Sequence, residues 1–219
     1  MNVLELVIFD CDGVLVDSEP IANRILTDAL AECGLKLSRA DVAQATTGHS
    51  MSQVLAWAEG ALGNSLPEDF VVKTQKRTFD AFHDELRPIA GAASVLDAVA
   101  AAGVRSCVAS SGDHEKMKFT LGLTGLLAKL EGRIFSASDV ANGKPAPDLF
   151  LLAAQTLDAD ASGCVVIEDS LPGVAAGLAA GMKVYGYAAG MEARQVSLAE
   201  AGALVFDRLQ DLPGLLGLN

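Results

Sequence analysis

Residues 4–19 read Leu4-Glu5-Leu6-Val7-Ile8-Phe9-Asp10-Cys11-Asp12-Gly13-Val14-Leu15-Val16-Asp17-Ser18-Glu19. The segment changes character at Asp10. Before it lies a short apolar run, rich in β-formers at Val7, Ile8 and Phe9, that ends without polar–apolar alternation. That is the pattern of a strand covered on both faces. After it, Asp-Cys-Asp-Gly has the composition of a turn. Similar apolar runs recur at Val104–Ala109, Cys164–Ile167 and Met182–Tyr187, each after a helical segment ending near a glycine (Gly103, Gly163, Gly181). Ala92–Ala102 and Val174–Ala180 are Ala-rich with glycine just past the end, a helix-stop signature. Strand–helix–strand alternation with unalternating strands predicts an α/β fold with a Rossmann-like parallel sheet core.

The alternation breaks between about residue 18 and residue 86. Only helical patterns occur there: Pro20–Cys33, Ser38–Ala45, Ser50–Ala61 and Pro67–Leu86. The expected organisation is a core of residues 1–16 and 87–219 interrupted by an all-helical insertion at 17–86. The length of 219 residues agrees with one domain carrying an insertion, or two small ones. With 51% hydrophobic residues, a chain of this length buries a core without a disulfide or metal staple. Its four cysteines, Cys11, Cys33, Cys107 and Cys164, show no Cys-x-x-Cys spacing, and Cys107 and Cys164 read as buried small hydrophobes. A formal charge of −12 argues against nucleic acid and anionic membrane as partners, though not against a small phosphate in a local basic pocket. Neither a secretory leader nor a long apolar span is legible, so a cytoplasmic protein is expected.

In an open parallel sheet, ligands bind beyond the carboxyl ends of the strands. Asp10 and Asp12 follow the first strand, Ser110 and Ser111 the second, and Glu168 and Asp169 a later one; Lys144 stands in Gly143-Lys144-Pro145 between the last two. Each piece alone has a plain reading, as a turn, a helix cap or a loop charge. Together, in this order and each at a strand's carboxyl end, they read as one site. Four carboxylates in one crevice repel each other unless a cation is present, and an all-oxygen donor set suits Mg²⁺. Lys144 and the hydroxyls would then hold a phosphate. One carboxylate could attack phosphorus while the second passes a proton to the leaving oxygen.

With these motifs the chain resembles the haloacid dehalogenase-like hydrolase superfamily, in its β-phosphoglucomutase and phosphoglycolate phosphatase-like branch. The resemblance covers nearly the whole chain. It implies Asp10 as nucleophile and metal ligand, and Asp12 as general acid and base whose backbone carbonyl also binds metal. It implies Ser110, Ser111 and Lys144 as phosphate-binding residues, Glu168 and Asp169 as further metal contacts, and the helical insertion as a cap domain.

Within that family the residues discriminate. Asp12 favours phosphotransfer over dehalogenation. The segment matching the cap's substrate loop, Thr46-Thr47-Gly48-His49-Ser50-Met51, has no Schiff-base lysine. Mutases of the branch carry an arginine where this chain has Met51 and a histidine where it has Ala22, which leaves water as the phosphoryl acceptor. The first motif is most similar to 6-phosphogluconate-phosphatase-like members. Gly48, His49, Lys76 and Arg77 are candidate cap contacts to substrate, while the cluster Lys73, Lys76 and Arg77 equally reads as a solvated helix face. Trp57 reads as core. The expected activity is Mg²⁺-dependent hydrolysis of a small phosphorylated metabolite, a sugar or sugar-acid phosphate, through an aspartyl phosphate. The alternatives are a phosphosugar mutase and, outside enzymes, a receiver-like switch phosphorylated on aspartate.

Overall fold

The structure, a computed structural model, describes residues 3–46 and 51–218. The chain divides into two compact units, Met1–Asp17 with Arg87–Asn219, and Ser18–Leu86. Asp17 thus falls with the first unit, one residue past the expected boundary. Its backbone N–H donates to the Arg87 carbonyl at 3.0 Å, and Val16 bridges Pro88 beside it, which ties the outgoing chain to the returning one.

The first unit begins with β1 (Leu6–Phe9). The second unit supplies four helices: α1 (Glu19–Glu32), α2 (Arg39–Thr46), α3 (Met51–Leu62) and α4 (Phe70–Glu85). The first unit resumes with α5 (Ala92–Ala101), β2 (Arg105–Ser110), α6 (His114–Leu123), α7 (Leu127–Leu130), β3 (Ile134–Ser136) and α8 (Asp148–Thr156). It closes with β4 (Cys164–Glu168), α9 (Leu171–Ala179), β5 (Lys183–Tyr187), α10 (Glu192–Glu200), β6 (Leu204–Phe206) and α11 (Leu212–Leu215).

The six strands form one parallel sheet in the order β3-β2-β1-β4-β5-β6. β1 is central: Leu6–Phe9 pair with Arg105–Val108 on one side and Cys164–Ile167 on the other. All four of its side chains are fully buried, which is why the strand carries no polar alternation. The chain winds from β1 through β2 to β3 in one direction and from β4 through β5 to β6 in the other. The reversal opens a crevice at the carboxyl ends of β1 and β4, where such sheets bind ligands.

Two features were not legible from sequence. The edge strands β3 and β6 have three residues each, too few to establish a period. Gly163 does not stop a helix: α8 ends at Thr156, Asp158 takes the left-handed turn (φ 50°), and Gly163 closes a short 3₁₀ turn before β4.

The core of the sheet unit includes Leu6, Ile8, Cys107, Phe150 and Val166. All four cysteines are free, and Cys107 and Cys164 are buried. The helical unit has its own core around Leu30, Val42, Ala58 and Phe70, and Trp57 packs against it. Among the described residues no helix is long and apolar enough to cross a membrane. Phe150 is fully buried on α8. Phe150→Ala is expected to cost about 3–5 kcal/mol of stability, read as a lower urea midpoint by circular dichroism. A loss below about 1 kcal/mol would place that ring outside a close-packed core.

Candidate active site

Asp10 is the first residue beyond β1, held by its N–H to the Ile167 carbonyl at 2.9 Å. The chain then turns tightly. Leu15 and Val16 both donate to the Cys11 carbonyl, and Gly13 donates to Val16 at 2.9 Å with φ at +80°. A Cβ at position 13 would sit 2.4 Å from Asp169 Oδ2. Glycine therefore serves twice, for the left-handed turn and for the close approach of the carboxylate from the end of β4.

Lys144 joins the strand ends. Its Nζ donates to Asp10 Oδ1 at 2.6 Å, to Glu168 Oε1 at 2.6 Å and to the Ala109 carbonyl at 2.9 Å. The side chain is 3% exposed and its ammonium lies 4.9 Å from the Phe150 ring centroid. Burial opposes its charge, but the carboxylates of Asp10 and Glu168 outweigh burial and hold the ammonium above its usual range. Burial likewise pushes the Asp10 carboxyl up; Lys144 pulls it back, and Glu168 and Asp12 push the same way as burial.

The carboxylates turn to different partners. Glu168 Oε2 accepts from the Asp169 N–H (3.0 Å), the Ser170 N–H (3.0 Å) and Ser170 Oγ (2.9 Å), while Oε1 accepts from Lys144. A Cβ at Gly173 would lie 1.8 Å from Oε1, so α9 needs glycine there to admit the Glu168 carboxylate. Glu168, grouped with the metal-binding acids from sequence, spends both oxygens on the start of α9 and on Lys144. Asp12 Oδ2 accepts from Lys116 Nζ at 2.7 Å, and Asp169 Oδ2 accepts from Arg194 Nη1 at 3.0 Å. Ser110, buried at the end of β2, accepts from the Gly112 N–H through its Oγ at 3.3 Å. Ser111 is exposed beside it. Ser136 at the end of β3 anchors this loop by donating to the Gly112 carbonyl at 2.8 Å.

Asp10, Asp12 and Asp169 offer hard oxygen donors only, and that chemistry fits Mg²⁺. As the side chains stand, each is taken by a cation of the protein. Among the described residues no three His, Cys, Asp or Glu side chains group as a metal-holding cluster.

The sheet edge therefore brings together Asp10, Asp12, Ser110, Ser111, Lys144, Glu168 and Asp169. Lys76 and Arg77 belong to the helical unit. Lys76 pairs with Asp80 at 2.6 Å and Arg77 with Glu32 at 2.9 Å, and they line a groove of about 470 Å³ between α1 and α4. Gly48 and His49 lie outside the described residues.

Two residues of the edge escaped the reading of strand ends. Lys116 stands in the first turn of α6, and Arg194 on α10 follows a loop in which Ala189 has φ 53° and Gly190 φ 74°. The left-handed Ala189 is not readable from its residue type, so no sequence signal marked Arg194.

The model of the haloacid dehalogenase-like hydrolases matches residues 4–181. The 6-phosphogluconate phosphatase of Escherichia coli K12 is 30% identical over 98% of this chain and 96% of its own length. Among solved structures, a HAD family hydrolase from Deinococcus radiodurans R1 with bound phosphate and sodium is 35% identical. It superposes with a TM-score of 0.85, covering 100% of this chain and 98% of that one. A putative β-phosphoglucomutase from Thermotoga maritima is 26% identical, with a TM-score of 0.83 over 97% and 98% of the two chains. Matched over most of its length by one family model, and over nearly all of it by a phosphatase, this chain is an enzyme of the haloacid dehalogenase-like hydrolase family.

Proposed function

We propose that this enzyme is a Mg²⁺-dependent phosphatase that hydrolyses a small phosphorylated metabolite, a sugar or sugar-acid phosphate, through an aspartyl phosphate on Asp10. The observation that carries this reading is the Lys144 ammonium, 2.6 Å from Asp10 Oδ1 and nearly excluded from solvent. A phosphoryl group brought to that carboxylate meets a fixed positive charge, with Ser110 at the neighbouring strand end. The relatives named as phosphatases, among them hexitol phosphatase A and hexitol phosphatase B of Escherichia coli K12, support the substrate class.

The residues take these roles. The Ser110 hydroxyl, the Ser111 backbone N–H and Lys144 bind the phosphoryl oxygens. A carboxylate oxygen of Asp10 attacks phosphorus, the ester P–O bond breaks with its electron pair on the leaving oxygen, and Asp12 gives that oxygen a proton. Asp12, now a carboxylate, takes a proton from water as the water oxygen attacks phosphorus. The bond from phosphorus to Asp10 breaks, releasing inorganic phosphate and restoring the carboxylate. Glu168 fixes Lys144 through Oε1. Asp10, Asp12 through its backbone carbonyl, and Asp169 would hold Mg²⁺, which when bound supplies positive charge that lets an anionic ester approach an anionic nucleophile. By the same reading, the helical insertion serves as a cap domain. Met51 and Ala22 favour water over a sugar hydroxyl as the acceptor.

A panel of about a hundred phosphate esters assayed with Mg²⁺ for phosphate release tests the class of substrate. Chelation of divalent metal is expected to abolish release, and Mg²⁺ to restore it. Asp10→Asn is expected to lower turnover at least about 1,000-fold, because an amide cannot serve as the nucleophile. Full turnover in that variant would sink the mechanism. Asp12→Asn is expected to accumulate the aspartyl phosphate from an activated aryl ester, seen by intact-protein mass, and to release phosphate slowly. A stable phosphoprotein in the unsubstituted chain would instead favour a signalling switch. Isomerisation of a sugar phosphate with a bisphosphate primer would favour a mutase.

A further inference from the structure

We propose that Lys116 is the positioning residue of Asp12, fixing its carboxylate for proton transfer to the leaving group. This rests on Asp12 being the general acid of the proposed reaction. The geometry separates Lys116 from the other cations of the edge. Lys144 serves Asp10 and Glu168, Arg194 serves Asp169, and Lys116 meets Asp12 Oδ2 at 2.7 Å.

The base of the lysine is rigid. Asp113 caps α6 by accepting from the Lys116 N–H at 2.7 Å. Thr120 Oγ1 donates to the Lys116 carbonyl at 3.0 Å, and Met117, Thr120 and Leu121 seat the helix in the core. The lysine stem and the carboxylate flank Gly112: a Cβ there would lie 3.8 Å from Lys116 Cδ and 3.7 Å from Asp12 Oδ2. Lys116 thus reaches Asp12 across the loop that carries Ser110 and Ser111, from a helix that cannot easily swing. A carboxylate that must face a leaving oxygen and then a water loses rate if it rotates freely, because reaction needs one narrow orientation. An ammonium bonded to one of its oxygens sets that orientation.

The consequence is selective. Attack by Asp10 on an ester with a good leaving group needs no proton from Asp12, whereas a poor leaving group does. First-turnover release from p-nitrophenyl phosphate, phenyl phosphate and glucose 6-phosphate, with Mg²⁺ and enzyme in excess, therefore reads the role of Lys116. In Lys116→Met, p-nitrophenol release is expected within about 3-fold of the parent. Release from phenyl phosphate and glucose 6-phosphate should fall about 10- to 100-fold, part of the 10²–10⁴ that a general acid supplies. Lys116→Arg, which keeps a cation within reach, should recover most of the loss. A structural role would lower all three esters alike, and that result overturns the proposal, as does an unchanged series or failure of arginine to restore it. Should the methionine variant not fold, Lys116→Gln carries the same comparison. Asp12→Asn run beside it separates the two ideas. If Asp12→Asn steepens the leaving-group dependence and Lys116→Met does not, the positioning role fails alone. If Asp12→Asn does not steepen it, the acid role of Asp12 fails and this inference with it.

Discussion

One buried ammonium sets the geometry at the carboxyl edge of the sheet. Lys144 ties the ends of three strands together, through Asp10 after β1, the Ala109 carbonyl in β2 and Glu168 at the end of β4. Such a cluster is expensive to desolvate, and it persists only when each charge meets a close partner of opposite sign. Here both carboxylates lie 2.6 Å from the nitrogen and the carbonyl satisfies a third donor. Removing either acid would weaken the hold on the lysine and leave the remaining groups poorly compensated. The same contact brings a cation to the proposed nucleophile and holds the loop that carries it, so stability and the proposed chemistry draw on one set of atoms.

The topology explains why these groups meet. β1 and β4 are neighbours in the sheet, but the chain winds away from them in opposite directions. That reversal opens a crevice between their carboxyl ends. The loop after β1 and the start of α9 are left facing each other, with small residues where they come close. Gly13 admits Asp169, and Gly173 admits Glu168, each at a distance no Cβ would tolerate. The adjacent acids of Glu168-Asp169 consequently do different work. One side chain points back to Lys144 and the helix start, and the other points forward to Gly13 and Arg194.

That division shows where sequence reading reaches and where it stops. β1 and β4 are legible because an apolar run of four residues without alternation fits a strand covered on both faces, and β2 and β5, whose runs are interrupted by Arg105, Ser106 and Gly186, because each follows an Ala-rich helix stopped by glycine. The acids, the serines and Lys144 are legible because a parallel sheet presents its chemistry at strand ends. Lys116 is not. In His114-Glu115-Lys116-Met117-Lys118 two lysines sit two positions apart on one helix, and composition alone describes a solvated face. Which lysine turns inward follows from the burial of Met117 and Thr120, a tertiary fact. Arg77 is similar: its partner Glu32 lies on another helix, 45 residues away, whereas Lys76 meets Asp80 one turn along and could be anticipated. The two metal-directed roles suggested for Glu168 and Asp169 look alike in sequence, because a side chain's direction after a strand depends on the helix that follows.

The charge of the whole molecule is a poor guide to this edge. A net charge of −12 would repel an anion at long range, but salt screens that field within about 8 Å at physiological ionic strength. At the edge itself Asp10, Asp12, Glu168 and Asp169 stand against Lys116, Lys144 and Arg194, which leaves one negative charge with all four acids ionised and none while Asp12 carries the proton it gives the leaving oxygen. A phosphate monoester would add nearly two more. Local cations can orient such a ligand but cannot neutralise the sum, and a divalent cation would bring it back near the starting value. In the proposed reaction the charge count at one sheet edge thus favours such a cation, and the acidity of the remaining surface does not enter the count.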